Sequence, residues 1–168
     1  DCGAELSKTP IAALTLAVQY AGSQIAFNRN ADGSYAGSFN VRAVAAIKKD
    51  EFVAAFGADA AKITDIGFVF AAGSNVAAPD MAVVKAMVEE GATNEDYTKY
   101  EVSKISTGLV KGYYAFTCLV KNIPVEDKDD SLVACAYVVW VDDNGTTNYA
   151  YYDAAKVIEF APLYDKFA

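Results

Sequence analysis

Histidine is absent from the chain. That absence removes the side chain most used for acid–base catalysis near neutral pH, and the commonest metal ligand. Ser–His and Cys–His nucleophiles and His-based zinc sites are therefore excluded, which argues against an enzyme; no cofactor or metal is expected. Arginine is scarce, with only Arg29 and Arg42. Fourteen basic residues face 22 acidic ones, for a net charge of −8. Neutralising phosphates takes clustered Lys and Arg, so nucleic acid and anionic membrane surfaces are disfavoured as partners. A neutral ligand fits this balance better than an anionic one. No apolar run approaches the ~20 residues of a membrane helix. The longest candidate, Ile11 to Ala21, is interrupted by Thr15, Gln19 and Tyr20. Three cysteines, Cys2, Cys118 and Cys135, are too few for a disulfide scaffold. The chain starts at Asp1 with neither Met nor a leader, which reads as a processed product. No lipobox precedes Cys2, so a lipid anchor is not expected there.

What is present is apolar and β-rich. With 54% hydrophobic and 21% charged residues the chain is no disordered tail. Its 168 residues suit one domain, 1–168, able to bury roughly 70% of its unfolded surface. Residues 1–22 read as an N-terminal arm or a first strand or helix, with Ile11 to Tyr20 ambiguous between the two. Ser23 to Phe27 and Tyr35 to Ile47 read as strands around a turn-rich Asn28 to Gly33 loop. Asp50 to Phe56 reads as a short helix ended by Gly57, and Ile63 to Ala71 as a returning strand. Ala78 to Glu90 suits a strand or a short helix. Gly91 to Tyr100 is a polar loop, and Glu101 to Leu109 a further strand. Tyr113 to Asp153 reads as a continuous antiparallel meander, because β-branched and aromatic runs alternate with Pro, Asp, Asn and Gly. Ala154 to Phe160 reads as a terminal strand or helical turn. The fold class is mainly β: an antiparallel β-sandwich of immunoglobulin-like character with one short helix.

The candidate ligand site comes from register arithmetic on the last hairpin. A two-residue Asn144-Gly145 loop, the type I′ signature, pairs Asp143 with Thr146, Trp140 with Tyr149 and Val138 with Tyr151. Side chains alternate along a strand, so Trp140, Tyr149 and Tyr151 share one face as an aromatic strip. That face is read as exposed, since the opposite one offers Val139, Val141 and Ala150 to an interior. An odd-length loop exchanges the faces of one strand. Aromatic strips stack on pyranose rings and offer polar tips for hydrogen bonds; ordinary cross-strand pairing is the competing reading. Tyr97, Tyr100, Tyr113 and Tyr114, on loops and strand ends, form a secondary set. The acidic runs Glu126 to Asp130 and Asp142 to Asn144 lack EF-hand spacing and read as solvated turns. Cys118 and Cys135 fall at cross-strand or near cross-strand positions of the meander, read as free thiols in preference to a disulfide.

Asp65-Ile-Gly-Phe-Val-Phe, Tyr114-Ala-Phe-Thr-Cys-Leu-Val-Lys-Asn-Ile-Pro and Ala134-Cys-Ala-Tyr-Val-Val-Trp with its acidic Asn-Gly turn resemble a recurring module of secreted proteins of Gram-positive anaerobes. That module is similar to those in starch-adherence and cellulosome-type surface proteins of gut ruminococci. The resemblance spans roughly Ser23 to Ile158. The chain departs from it at Cys135, where arginine is usual, and at Trp140. The resemblance implies an extracellular, secreted or cell-surface immunoglobulin-like module flanked by neighbouring domains of a larger polysaccharide-degrading protein. Combined with the missing histidine and the 11 tyrosines, the expectation is a non-catalytic carbohydrate-binding module for a neutral glucan such as starch. A structural, scaffolding module with no sugar binding is the alternative.

Overall fold

Residues 16–57, 60–73, 78–106, 108–152 and 156–167 are described by the structure, a computed structural model. The expected arm from Asp1 to Pro10, Cys2 and half of the Ile11–Tyr20 segment lie outside the described residues.

β1 (Gln19–Arg29) and β2 (Tyr35–Lys48) form the first hairpin, longer on the β1 side than the expected Ser23–Phe27. Gly33, at φ +84°, closes its turn, with Asn30 N–H on the Ser34 carbonyl at 2.8 Å. α1 (Lys49–Phe56) follows where Asp50 to Phe56 predicts it, buries Phe52 and Phe56, and ends at Gly57 with φ +76°. β3 (Ile63–Ala72) comes next. α2 (Met81–Glu89) resolves the ambiguous segment as a helix, capped at its N-terminus by the Asp80 carboxylate accepting from Ala82 N–H at 3.0 Å. β4 (Thr98–Glu101) takes the last three residues of what reads as a polar loop and the first of the strand expected from Glu101. β5 (Tyr113–Pro124), β6 (Ser131–Val141), β7 (Thr147–Tyr151) and β8 (Lys156–Glu159) complete the strands, and α3 (Phe160–Phe167) the helices. The protein is thus mainly β: the described residues are 52% strand and 19% helix, in two antiparallel sheets and three helices where the sequence suggested one.

The strands after Tyr113 do not form one meander. β5 pairs with β2, making a first sheet of order β1-β2-β5, while β6 joins a second sheet of order β4-β3-β6-β7. β8 takes the remaining length of the same β6 edge that β7 uses. The physical reason lies at the end of β5. Lys121 and Asn122 together oppose Asn40, a bulge with Asn122 in the left-handed region at φ +58°. Pro124 and a single 3-10 turn, Val125–Asp127, then swing the chain across to the other sheet. An arch, not a hairpin, joins the two runs.

Cys118 and Cys135 are consequently on different sheets, not cross-strand neighbours; both are free and buried. Burial pushes the Cys118 thiol up to about 12 and the Cys135 thiol up to about 11. An unfolded thiol titrates near ~8.5. Above that pH the unfolded chain sheds protons that the folded chain keeps, so stability falls as pH rises toward the folded values. We expect a thiol reagent at about pH 8 to leave Cys118 and Cys135 unlabelled until denaturant is added. We also expect the melting temperature to decline above about pH 9. Peptide mapping of the labelled protein checks the first outcome, and rapid native labelling of either residue would contradict this packing.

Between the sheets, Phe39, Val41, Ala43, Ala45, Ile47, Phe116 and Cys118 meet Ile66, Phe68, Ala136, Val138 and Tyr152 in one buried cluster. Phe68 and Phe116 approach to 5.4 Å across the gap. No polar or charged residue is buried among the described residues. β6 is buried on both faces, from Leu132 through Val139, because α2 covers the outer face of the second sheet and sets Met81 Sδ 3.9 Å from Cys135 Sγ. α1 closes one end of the sandwich, stacking Phe52 on Tyr114 at 4.0 Å. α3 closes the other, with Phe160 and Tyr164 both edge-on to Phe39.

Candidate functional site: the outer face of the first sheet

The last hairpin turns through three residues, not two. Asp142 N–H donates to the Thr146 carbonyl at 2.9 Å, Gly145 N–H donates back to Asp142, and Gly145 has φ +79°. This is the three-residue loop in which a left-handed glycine follows a tight turn. The Asp142 carboxylate enforces it, accepting from the Asn144 and Thr146 N–H groups at 2.9 Å and from Asn148 Nδ2 at 3.1 Å. These bonds, Asn148 first, hold its pKa below the usual carboxylate range.

The odd loop length shifts the register by one. Trp140 pairs with Asn148, Val139 with Tyr149, and Tyr137 with Tyr151. The expected strip of Trp140, Tyr149 and Tyr151 is thereby divided between two faces. Trp140 points between the sheets, half-buried, with its ring edge-on to Phe56 at 5.5 Å. Tyr151 lies on the outer face under α2, donates to Glu89 Oε1 at 2.7 Å and has Lys85 Nζ 5.9 Å from its ring. Burial, then the bond to Glu89, drives its phenol well above the ordinary range. Tyr149, on that same outer face, is exposed.

The secondary tyrosines are equally dispersed. Tyr97 Oη accepts from Asp80 N–H at 2.9 Å and so steadies the start of α2. Tyr100 is exposed on β4, opposite Phe68. Tyr114 faces the interior on Phe52, while Tyr113 packs with Val110 over Val44, Ala46 and Ala115. The structure brings no two of these four together into a platform.

A second polar arrangement went unread in the sequence. Tyr137 is fully buried, yet its hydroxyl donates to Asp65 Oδ1 at 2.9 Å, and Asp65 Oδ2 receives Lys99 Nζ at 2.5 Å. Glu101 Oε1 stands 3.6 Å from the same ammonium. Burial and the Asp65 bond push the Tyr137 phenol far up, so it stays a neutral donor. This network ties β4 to β3 and β6.

One broad surface has no helical cover among the described residues. Among the described residues, the outer face of the first sheet is overlaid at its Tyr113 end, by the Val110 cluster. Its middle rung sets Gln24, Arg42 and Leu119 side by side across the three strands. Beyond it an amide cluster begins. Asn28 Nδ2 lies 2.8 Å from Ser38 Oγ and 3.2 Å from both Asn40 Oδ1 and Asn122 Oδ1. Asn40 Nδ2 donates to Asn28 Oδ1 at 2.9 Å, and Asn40 Oδ1 accepts from the Asn122 backbone N–H at 2.9 Å. That last bond helps hold Asn122 at its positive φ. A shallow groove runs over this face, floored by Gln24, Ala26, Asn40, Arg42 and Leu119. Amide donors and acceptors fixed beside an apolar Leu119 suit a polyhydroxylated ligand, which needs both kinds of contact.

Among the described residues no group of three or more acidic or cysteine side chains could hold a metal ion, and no helix is long and apolar enough to cross a membrane. No family model, curated protein or solved structure matches the chain.

Proposed function

We propose that the chain is a non-catalytic, extracellular carbohydrate-binding module on an immunoglobulin-like β-sandwich, and that it binds a polysaccharide along the outer face of its first sheet. The uncovered face with its fixed amide cluster carries this reading. The strand order supports the immunoglobulin-like part. Pairing of β2 with β5, β3 with β6 and β6 with β7 follows the B–E, C–F and F–G pairings of that architecture. The resemblance to starch-adherence and cellulosome-type modules supports the extracellular setting and the sugar, with starch as the reference ligand and other domains of a larger protein as neighbours. Without histidine, the face offers binding groups and no general base suited to neutral pH.

Affinity electrophoresis through gels containing amylose, amylopectin, xylan or soluble cellulose tests the reading. The wild type is expected to be retarded by at least one polymer. Gln24→Ala with Leu119→Ala is expected to weaken retardation about tenfold, the equivalent of roughly 1.4 kcal/mol, with a melting temperature close to wild type. No retardation on any polysaccharide would favour the second reading, a structural module that spaces neighbouring domains. The dispersal of the Trp140, Tyr149 and Tyr151 strip favours that second reading.

A further inference from the structure

Arg42 stands out on the groove floor. The other arginine, Arg29, donates from Nη1 to the Gly33 carbonyl at 3.0 Å and so braces the first hairpin turn. Arg42 has no such structural duty. Its one hydrogen bond runs from Nη1 to Gln24 Oε1 at 3.4 Å, the long edge of hydrogen bonding. None of the ion pairs among the described residues involves it; these join Lys62 to Asp143 and Lys99 to Asp65 and Glu101. In a chain with 22 acidic residues, Arg42, half-buried at the centre of a sheet face, has no carboxylate partner among the described residues. A guanidinium fork matches a planar carboxylate through two parallel hydrogen bonds. The neighbouring amides of Gln24 and Asn40 match hydroxyls.

Resting on the carbohydrate-binding reading, we propose that this face recognises a neutral polysaccharide backbone carrying sparse uronic-acid substituents, with Arg42 receiving one carboxylate. Sparseness follows from the charge balance. One guanidinium serves one carboxylate, and a protein at −8 repels a polymer charged at every residue. An unsubstituted glucan leaves Arg42 unused and is the weaker ligand.

Affinity electrophoresis tests this with four polymers: glucuronoxylan, the same glucuronoxylan after chemical reduction of its carboxyl groups, amylose and polygalacturonate. Wild-type protein is expected to be retarded about tenfold more strongly by glucuronoxylan than by its reduced form, and the difference should shrink as salt is added. Arg42→Gln should bind both forms equally. Arg42→Lys, which keeps the charge and loses the fork, should recover only part of the preference. The polymer pair compares the unmodified protein with itself, so it decides the matter even if a variant folds poorly. Equal retardation by the two xylans, or strongest retardation by polygalacturonate, overturns this inference and leaves the module reading standing. Retardation by amylose alone does the same. Absence of retardation by any polysaccharide sinks the module reading itself.

Discussion

Gly67→Ala is expected to destabilise the protein by about 3 kcal/mol, near the top of the usual range for overpacking a filled site. In a domain of this size that corresponds to a fall of about 6–12 °C in melting temperature. Gly67 sits in β3 between Glu101 of β4 and Tyr137 of β6. A Cβ there would lie 2.0 Å from the Tyr100 carbonyl oxygen and 3.0 Å from the Tyr137 hydroxyl. The first atom is backbone, so relief requires β4 to move. β4 is only four residues long and is held further by Lys99 on Asp65. The second atom belongs to a buried phenol whose own bond to Asp65 fixes it. Gly108→Ala supplies the control, since its added Cβ meets nothing within 4 Å; a change within about 0.5 kcal/mol is expected there. Thermal melts of the two variants decide it, and equal stabilities would mean that β4 does not press on β3 as the structure has it.

Much of the strand inventory was legible because it is local. Tyr35 to Ile47 alternates, with Phe39, Val41, Ala43, Ala45 and Ile47 on one side, and those five residues do face the other sheet. The helix near Asp50 to Phe56 was announced by its apolar spacing and its closing glycine. Pairing was not local, and there the reading failed. Nothing near Cys118 says that β5 prefers β2, far back in the chain, to the adjacent β6. The signal for the arch was present but slight: Asn122, a residue tolerant of positive φ, two positions before Pro124.

The hairpin failed for a related reason. Asn144-Gly145 suits a two-residue turn and equally a three-residue loop ending in a left-handed glycine, and the Asp142 carboxylate chooses the latter. A single residue of slip was enough to divide the aromatic strip. The cover on the second sheet was misread as well, since the Trp140 face was taken as exposed. Leu132 to Val141 runs apolar without alternation, which marks a strand buried on both faces, and α2 is the element that buries the second face. Pairing of Tyr137 with Gly67 places an aromatic over a strand glycine, a contact that neither segment reveals alone. The groove residues escaped notice because Gln24, Asn40 and Arg42 are individually ordinary polar positions on an outward face. The β1–β2 hairpin sets them on adjoining rungs, and the pairing of distant β5 adds Leu119 beside them.

Trp140→Ala separates the packing role from the binding one. The ring is half-buried at the α1 end of the sandwich. Burying half of a side chain that covers about 200 Å² is worth about 2.5 kcal/mol at 25 cal/mol per Å². The edge-to-face contact with Phe56, at 5.5 Å and 78°, adds about 0.5–1.5 kcal/mol. The variant is therefore expected to lose about 3 kcal/mol and to melt about 6–12 °C lower. Its retardation by polysaccharide, measured well below that melting temperature, is expected to match the wild type. Trp140 faces inward from the second sheet, whereas Gln24, Arg42 and Leu119 face outward from the first. Were the variant to melt like wild type while losing its retardation, Trp140 would be a stacking platform, and the binding face would have to move to the second sheet.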